Sequence, residues 1–309
     1  MFSVIYKLIR SNVSRTGVRS ALALAIAAGL LPCVATVTNA QTAPVANPAM
    51  LPRPVLPLHP WQSPQVSGKG AEAYFANLKN GDTIETPFLL KFGLSGGWGL
   101  APISKPMGGK SGHHHLLVNR DLPLDFKKAL PFDDQYIHFG KGQMEKVLTL
   151  APGTYTLRML LADDQHLPRF VYSEPIKITV ARKNDTKPEA LVKKGVSMGV
   201  EELVSDTNAD VLKGAFRVQM HASGLNVGHQ AQLEAGTGHF KLAFFPKSAP
   251  AGTKGKPVAE MEFINGETEV WLAPPDGEYL MKLDLIDNTR PDTPMTEPAI
   301  LPIRVKNRS

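Results

Sequence analysis

KVLTLAPGTYTLRMLL, residues 146–161, contains two apolar runs separated by the turn residues Ala151-Pro152-Gly153. We interpret Lys146–Leu150 and Tyr155–Leu161 as two β-strands joined by a tight turn. Other short apolar runs bounded by turn residues are Phe88–Phe92, His113–Asn119 and Ile176–Val180. Because no long stretch has the 3.6-residue period of an amphipathic helix, this spacing predicts an antiparallel β-sandwich.

The pattern occurs twice in the chain. At a constant spacing of 124 residues, Leu148, Gly153, Tyr155, Leu161 and Asp163 are matched by Leu272, Gly277, Tyr279, Leu285 and Asp287. Chance does not supply so many matches in one order, so we infer an internal duplication with about 110 residues per copy, a usual size for one sandwich domain. The predicted fold class is therefore all-β, with two tandem antiparallel β-sandwich domains of the immunoglobulin-like type.

The N-terminal region has the order of basic, apolar and small residues that is typical of a secretory signal peptide. An apolar run from Ala21 to Val37 is followed by a small-x-small pattern that ends at Ala40. We predict a signal peptide at 1–40, a Pro/Ala-rich tether at 41–70, a histidine-bearing sandwich domain at 71–182 and a degenerate repeat domain at 195–309. The expected location is therefore periplasmic or secreted. Within these regions, Trp61 either docks on the first copy or is exposed, and Glu189–Val204 is expected to contain a short helix.

Cleavage of the signal peptide changes the composition of the chain. Cys33, the only cysteine, is lost, so the mature chain has no disulfide and no thiol ligand. Four of the 34 basic residues and none of the 28 acidic residues lie in residues 1–40, so the net charge falls from +6 to +2. This charge gives no basis for nucleic acid binding, and no membrane span is expected in the mature chain.

Three consecutive histidines, His113-His114-His115, lie in one predicted strand. Side chains alternate between the two faces of a strand. The second copy has Phe240 and Lys241 at the positions of His114 and His115, and Phe240 belongs to an apolar face. We therefore expect His114 to point into the core, and His113 and His115 to share the opposite face.

Two imidazoles at positions i and i+2 of a strand have Cα atoms about 7 Å apart, and both can bind one metal ion. We expect His138 and His166 to complete a ligand set with His113 and His115. Three of these four are missing from the second copy, where His115, His138 and His166 are replaced by Lys241, Glu262 and Arg290. Imidazole suits several transition metals, and copper or zinc is the metal that we expect.

Other functions stay open at this stage. The histidines can instead form a structural network bonded to the backbone, or line another kind of ligand pocket. The chain lacks the usual hydrolase, P-loop and dinucleotide motifs, so no catalytic residue is assigned, and a hydrolase that uses metal-bound water is the enzymatic alternative. The non-metal alternative is a cell-envelope module that contacts a protein or a glycan through its exposed sandwich faces or through the Gly93–Gly109 loop with Trp98. We favour a non-catalytic metal-binding protein.

The stretch from Gly81 to Val180 resembles a family of small exported bacterial proteins, the domain of unknown function 4399. The motifs that carry the resemblance are His113-His114-His115-Leu116-Leu117, His138-Phe139-Gly140-Lys141-Gly142-Gln143 and Asp163 through Pro168. The resemblance implies an exported β-rich domain and supports the choice of the histidines, but it implies no established activity. The family usually has a further histidine where this chain has Arg169-Phe170, so a ligand of relatives is lost or substituted here if that histidine binds metal in them.

Overall fold

The structure is a computed structural model that describes residues 50–63, 70–202, 211–249 and 252–307. The predicted signal peptide, and residues 41–49 and 64–69 of the predicted tether, lie outside the described residues. None of the helices in the described part of the chain is long and apolar enough to span a membrane.

The first module contains ten strands in two sheets. The strands are β1 (Ala73–Phe75), β2 (Thr83–Thr86), β3 (Phe88–Leu94), β4 (Gly99–Leu100), β5 (Ser111–Val118), β6 (Tyr136–Phe139), β7 (Glu145–Leu148), β8 (Gly153–Ala162), β9 (Pro168–Tyr172) and β10 (Ile176–Lys183). The smaller sheet has the order β1-β3-β7. The larger has the order β2-β10-β8-β5-β4, with β6 paired to β5 and β9 paired to β8.

The described residues of the second module form eight strands in two sheets. After the single-turn helix α1 (Pro188–Leu191), the strands are β11 (Gly195–Glu202), β12 (Phe216–Ser223), β13 (Asn226–Val227), β14 (Thr237–Pro246), β15 (Ala259–Glu262), β16 (Glu269–Leu272), β17 (Gly277–Asp287) and β18 (Ala299–Val305). The sheet orders are β11-β12-β16 and β13-β14-β17-β18, with β15 paired to β14. A 3-10 turn at Gly252–Lys254 precedes β15.

The strands follow the burial pattern of a sandwich. Strands such as β10 and β18 alternate buried and exposed residues, because only one of their faces packs on the core. The central strand β5 is buried at every position, so its second face is also covered. One cluster of buried apolar side chains runs through both modules and includes Phe92, Leu116, Phe216 and Phe240. Removal of this apolar surface from water is the main force that holds the sandwiches together.

The predicted fold class and internal repeat are confirmed. In β5, His114 pairs with Leu161 of β8, and at the matching place in β14, Phe240 pairs with Leu285 of β17. Antiparallel pairing predominates, and three short pairings, β2 with β10, β4 with β5 and β13 with β14, are parallel. The short helix expected within Glu189–Val204 begins at Pro188, and most of that stretch is the strand β11. The predicted domain boundaries stay a prediction.

The two modules pack against each other with approximate two-fold symmetry. Several contacts from the first module to the second are repeated by the equivalent residues from the second module to the first. Val227 N donates to the Gly142 carbonyl (2.8 Å) and Leu100 N to the Gly266 carbonyl (2.9 Å). Gly224 N donates to Glu145 Oε1 (2.9 Å) and Gly96 N to Glu269 Oε1 (3.3 Å). The residues in each pair of contacts are repeat equivalents, as expected for an interface in which similar surfaces meet.

Residues 50–63 lie across both modules. Arg53 forms an ion pair with Glu267 of the second module (2.7 Å). The Trp61 ring packs edge-on against Phe244 and Tyr279, with ring centroids 5.2 and 5.5 Å apart. Both expectations for Trp61 are therefore wrong: it docks on the second module, because an apolar surface is available there between β14 and β17.

Candidate metal centre

Strand pairing brings the predicted ligands to one point. His113 and His115 share a face of β5, and His138 of β6 lies directly opposite His115 in the antiparallel ladder. Residues directly opposite on paired strands have their side chains on the same face. His166 approaches from the turn after β8, where its φ angle is 61°, a left-handed conformation that is uncommon for residues other than glycine.

The His166 turn is held by bonds at both of its ends. Its amide donates to the Asp163 carbonyl (2.9 Å), and its own carbonyl accepts from Leu130 N (2.9 Å). Asp163 Oδ1 accepts from the amides of Gln165 and Leu167, at 3.0 and 2.9 Å. The backbone therefore fixes the left-handed residue in place and directs the His166 side chain towards the cluster.

The four imidazoles form a compact group. His113 Nε2 lies 2.9 Å from His115 Nε2, and His138 Nδ1 lies 3.5 Å from His115 Nε2. One ring nitrogen from each of His113, His115, His138 and His166 lies within 4.8 Å of all the others. Zinc binds imidazole nitrogen at about 2.0–2.1 Å with tetrahedral geometry, which places ligand nitrogens about 3.3 Å apart. The donor set and its spacing therefore fit a transition metal ion.

The environment keeps these histidines neutral. His113 and His115 are fully buried, and burial lowers the pKa of both, with the neighbouring histidines acting in the same direction; the pKa of His115 falls to about 3. Burial also lowers the pKa of His138 and of His166, although Asp163 and Asp164 oppose the effect at His166. Neutral imidazole is the form that binds metals, so the four histidines can bind a metal ion at neutral pH without first losing a proton.

The inner histidines lack the partners that a structural network would give them. The Nδ1 atoms of His113 and His115 are buried and have no hydrogen-bond partner among the described residues, and the same holds for Nε2 of His166. The Nε2 atoms of His113 and His115 face each other rather than a backbone group. Because these two Nε2 atoms converge on each other, the geometry favours a ligand shell over histidines tied to the backbone.

Phe132 and Ile103 are the apolar residues that lie beside the outer histidines. The Phe132 ring packs on both of them, with its centroid 4.5 Å from that of His166 and 5.4 Å from that of His138, although 68% of the residue is exposed. Gly140 lies so close to the His138 ring and to Ile103 that a Cβ atom there would collide with both. Sequence reasoning missed Phe132 and Ile103, because they lie in loops where no periodicity marks a contact.

His114 points away from the cluster, as predicted. Its ring packs edge-on against Phe92, with centroids 5.0 Å apart, and its Nε2–H donates to the Gly93 carbonyl (3.2 Å). Burial lowers the pKa of His114 to about 4. Phe240 is fully buried at the equivalent place in the second module. His114 is therefore a core residue that does not contribute to the ligand set.

The second module replaces the cluster with ion pairs. Lys241 contacts Glu260 (2.8 Å) and Glu262 (3.3 Å), and Arg290 contacts Asp287 (2.8 Å). Register places Lys241 opposite Glu262, as His115 is placed opposite His138. The structure therefore confirms that Lys241 and Glu262 occupy the positions of His115 and His138. Oppositely charged side chains lie in the second module where the first module has imidazoles.

The residues at the family's additional histidine position do not join the cluster. The Arg169 guanidinium forms an ion pair with Asp163 (3.2 Å). Phe170 is 77% exposed and stacks on Phe126, with ring centroids 4.4 Å apart and planes 2° from parallel. Because a guanidinium stays protonated, Arg169 cannot replace a histidine as a ligand. It supports the His166 turn through Asp163 instead.

Comparison with known proteins gives a family match and a set of remote structural likenesses. The model of the family described as Domain of unknown function (DUF4399) matches residues 90–181 and again residues 218–306. No curated protein matches the chain.

Among solved structures, the fibronectin(III)-like modules of Clostridium thermocellum CbhA are 12% identical, with a TM-score of 0.22 and coverage of 76% of this chain and 94% of that one. The FN1-FN3 domains of chicken CNTN1 are 12% identical, with a TM-score of 0.24 and coverage of 77% and 68%. A two-domain fibronectin type-III segment of chicken tenascin is 11% identical, with a TM-score of 0.21 and coverage of 76% and 99%. Whole-chain similarity this low adds nothing to the strand order described above.

Proposed function

The chain belongs to the DUF4399 family through both of its modules, and we propose that it is an exported, non-catalytic protein of the periplasm that binds a transition metal ion through His113, His115, His138 and His166. The observation that carries the proposal is the convergence of four ring nitrogens within 4.8 Å. Export rests on the basic, apolar and small pattern of residues 1–40.

The donor set narrows the choice of metal. Four neutral imidazoles, without a thiolate, suit borderline ions such as Zn²⁺ and Cu²⁺ and are a poor match for Mg²⁺ or Ca²⁺, which prefer oxygen. The nearest carboxylate of the His166 turn, Asp163, is already bonded to Arg169 and to backbone amides. Copper or zinc is therefore the proposed ligand.

Metal titration of the purified mature chain tests the proposal. We expect one Zn²⁺ or Cu²⁺ per chain and a rise in melting temperature, because binding to the native state alone must stabilise it. A His113→Ala/His115→Ala variant should keep its fold and lose both effects. If metals leave the wild-type melting temperature unchanged, the chain does not bind them specifically and the proposal is wrong.

A second candidate function is contact with an envelope protein or a glycan. An open groove of about 810 Å³ is lined by apolar residues that include Trp98, Leu124, Phe126 and Phe170, and in the stacked pair of the last two Phe126 is half-buried and Phe170 is exposed. Exposed apolar surface of this kind often marks an interaction site. Capture of a partner that survives chelation and the His113→Ala/His115→Ala substitutions, but is lost on Phe170→Ser, would favour this function.

A further inference from the structure

Two side chains of the second module form hydrogen bonds with a loop of the first module that lies next to the histidine cluster. His229 is fully buried, and its Nε2–H donates to the Lys105 carbonyl (2.8 Å). Gln232 Nε2 donates to Ser104 Oγ (3.0 Å). Ser104 and Lys105 lie in the loop between β4 and β5 of the first module. This loop is therefore held by two side chains of the second module.

This loop is connected to the ligand His138 through Gly140. Between Pro102 and Ser104, Ile103 donates its amide to the Gly140 carbonyl (3.1 Å). The Ile103 side chain and the His138 ring both pack against Gly140, at the place where any other residue would have its Cβ atom. A shift of the loop would therefore release the surface on which the His138 ring rests.

The loop that carries His229 and Gln232 is in turn held by Asn288 and, through Asn288, by His239. Asn288 Nδ2 donates to the carbonyls of His229 and Gln232, at 2.9 and 3.1 Å, and so fixes the loop that carries both side chains. Asn288 Oδ1 accepts from Nδ1 of His239, 2.7 Å away. His239 is the repeat equivalent of His113, so the one histidine that the second module keeps from the cluster belongs to this support.

From these contacts we infer that the second module positions the metal site, with His229 as the positioning residue that holds the Ile103 loop and thereby the ligand His138. The inference rests on the proposed function and assigns a role to the module that has no ligand set of its own. Partners that orient a ligand without touching the metal typically change metal affinity by about 10–100-fold.

Metal affinity of His229 variants of the full mature chain, measured for Zn²⁺ by chelator competition, tests the inference. We expect His229→Ala to weaken binding about 10-fold while the protein stays folded, because the Lys105 carbonyl loses its donor. His229→Gln, which keeps an N–H donor, should recover most of the loss. Lys241→Gln is the matched control, since the ion pairs of Lys241 lie within the second module.

A double-mutant cycle separates positioning of His138 from general destabilisation. In a His138→Ala background, His229→Ala should cause no further loss of affinity, because the ligand that it positions is already absent. An equal loss in both backgrounds, or wild-type affinity in a folded His229→Ala variant, would overturn the inference and leave the proposed function intact. A wild-type chain that takes up no Zn²⁺ would overturn both.

Discussion

His114 lies between two candidate ligands in the sequence, yet its ring packs on Phe92 in the core. The second module has a buried phenylalanine, Phe240, at this position. We therefore predict that His114→Phe keeps the fold and binds Zn²⁺ within about threefold of wild type, because the ring volume fits and no ligand is lost. Chelator competition provides the measurement, and a complete loss of binding would make His114 a ligand and contradict the assignment.

The buried histidines also predict how stability depends on pH. In the folded chain the pKa of His114 is lowered to about 4 and that of His115 to about 3, whereas in the unfolded chain both lie near 6.5. Below about pH 6.5 the unfolded state therefore binds more protons, so the metal-free protein loses stability as the pH falls towards 4, by up to about 1.4 kcal/mol per pH unit for each histidine.

Urea unfolding of the metal-free protein between pH 7 and pH 4 checks this dependence. The loss of stability should be smaller in His114→Phe than in wild type, since one buried titrating group is removed. An identical slope in the two proteins would mean that the pKa of His114 is not lowered in the folded chain.

At the scale of single elements, the loop between β5 and β6 covers the outer histidines with Phe132. Its ring restricts the approach to His138 and His166 without providing a ligand atom. We predict that Phe132→Ser speeds Zn²⁺ release to a chelator several-fold in stopped-flow measurements, with affinity changed by less than about tenfold because the ligands stay in place.

Phe170→Ser is the matched control for this effect. Phe170 is also an exposed aromatic residue, but its ring stacks on Phe126. If both substitutions speed release equally, or if neither does, Phe132 does not control access to the cluster.

The part of the site that lies on strands could be predicted from the sequence. Strand alternation and the repeat were enough to place His114 in the core and His113 beside His115, because side-chain direction in a strand follows from local geometry. No sequence rule paired His138 with His115; the ladder between β5 and β6 establishes that pairing, and the one between β14 and β15 places Lys241 opposite Glu262 in the same way.

Contacts made by loops were not predictable in the same way. The left-handed φ angle of His166 and the packing of Ile103 on Gly140 depend on tertiary surroundings rather than on any sequence period. The packing of one module on the other was equally beyond a single sequence, since the repeat shows that two copies exist and not which of their faces meet.

On the scale of the whole molecule, a buried threonine joins the two modules. Thr268 of the second module accepts from Leu94 N (3.0 Å) and donates to the Leu94 carbonyl (2.9 Å) through its Oγ1 atom. Thr268→Val leaves both backbone groups of Leu94 without this partner, so we predict a loss of about 1–3 kcal/mol in the free energy of unfolding, measured with urea.

Thr237→Val provides the comparison within the second module. Thr237 is equally buried, but its Oγ1 has no hydrogen-bond partner among the described residues. Its replacement by valine should be neutral or stabilising. Equal losses in the two variants would show that the bonds to Leu94 do not stabilise the packing of the modules.

The two modules differ at the equivalent place. One copy has four imidazoles where β5, β6 and the His166 turn meet, while the other has ion pairs there and directs His229 and Gln232 at the first copy. Because the approximate two-fold packing sets each copy against loops of the other, the second module can support a site whose ligands it does not provide.

X-ray absorption at the zinc edge of the Zn²⁺-loaded mature chain shows directly whether the four histidines bind the metal. We expect a first shell of four nitrogen atoms at about 2.0–2.1 Å, with the outer-shell scattering of imidazole rings, and loss of two of those rings in a His138→Ala/His166→Ala variant. A shell of oxygen atoms, or a wild-type spectrum that the substitutions leave unchanged, would show that the metal is bound elsewhere and that the four histidines are not its ligands.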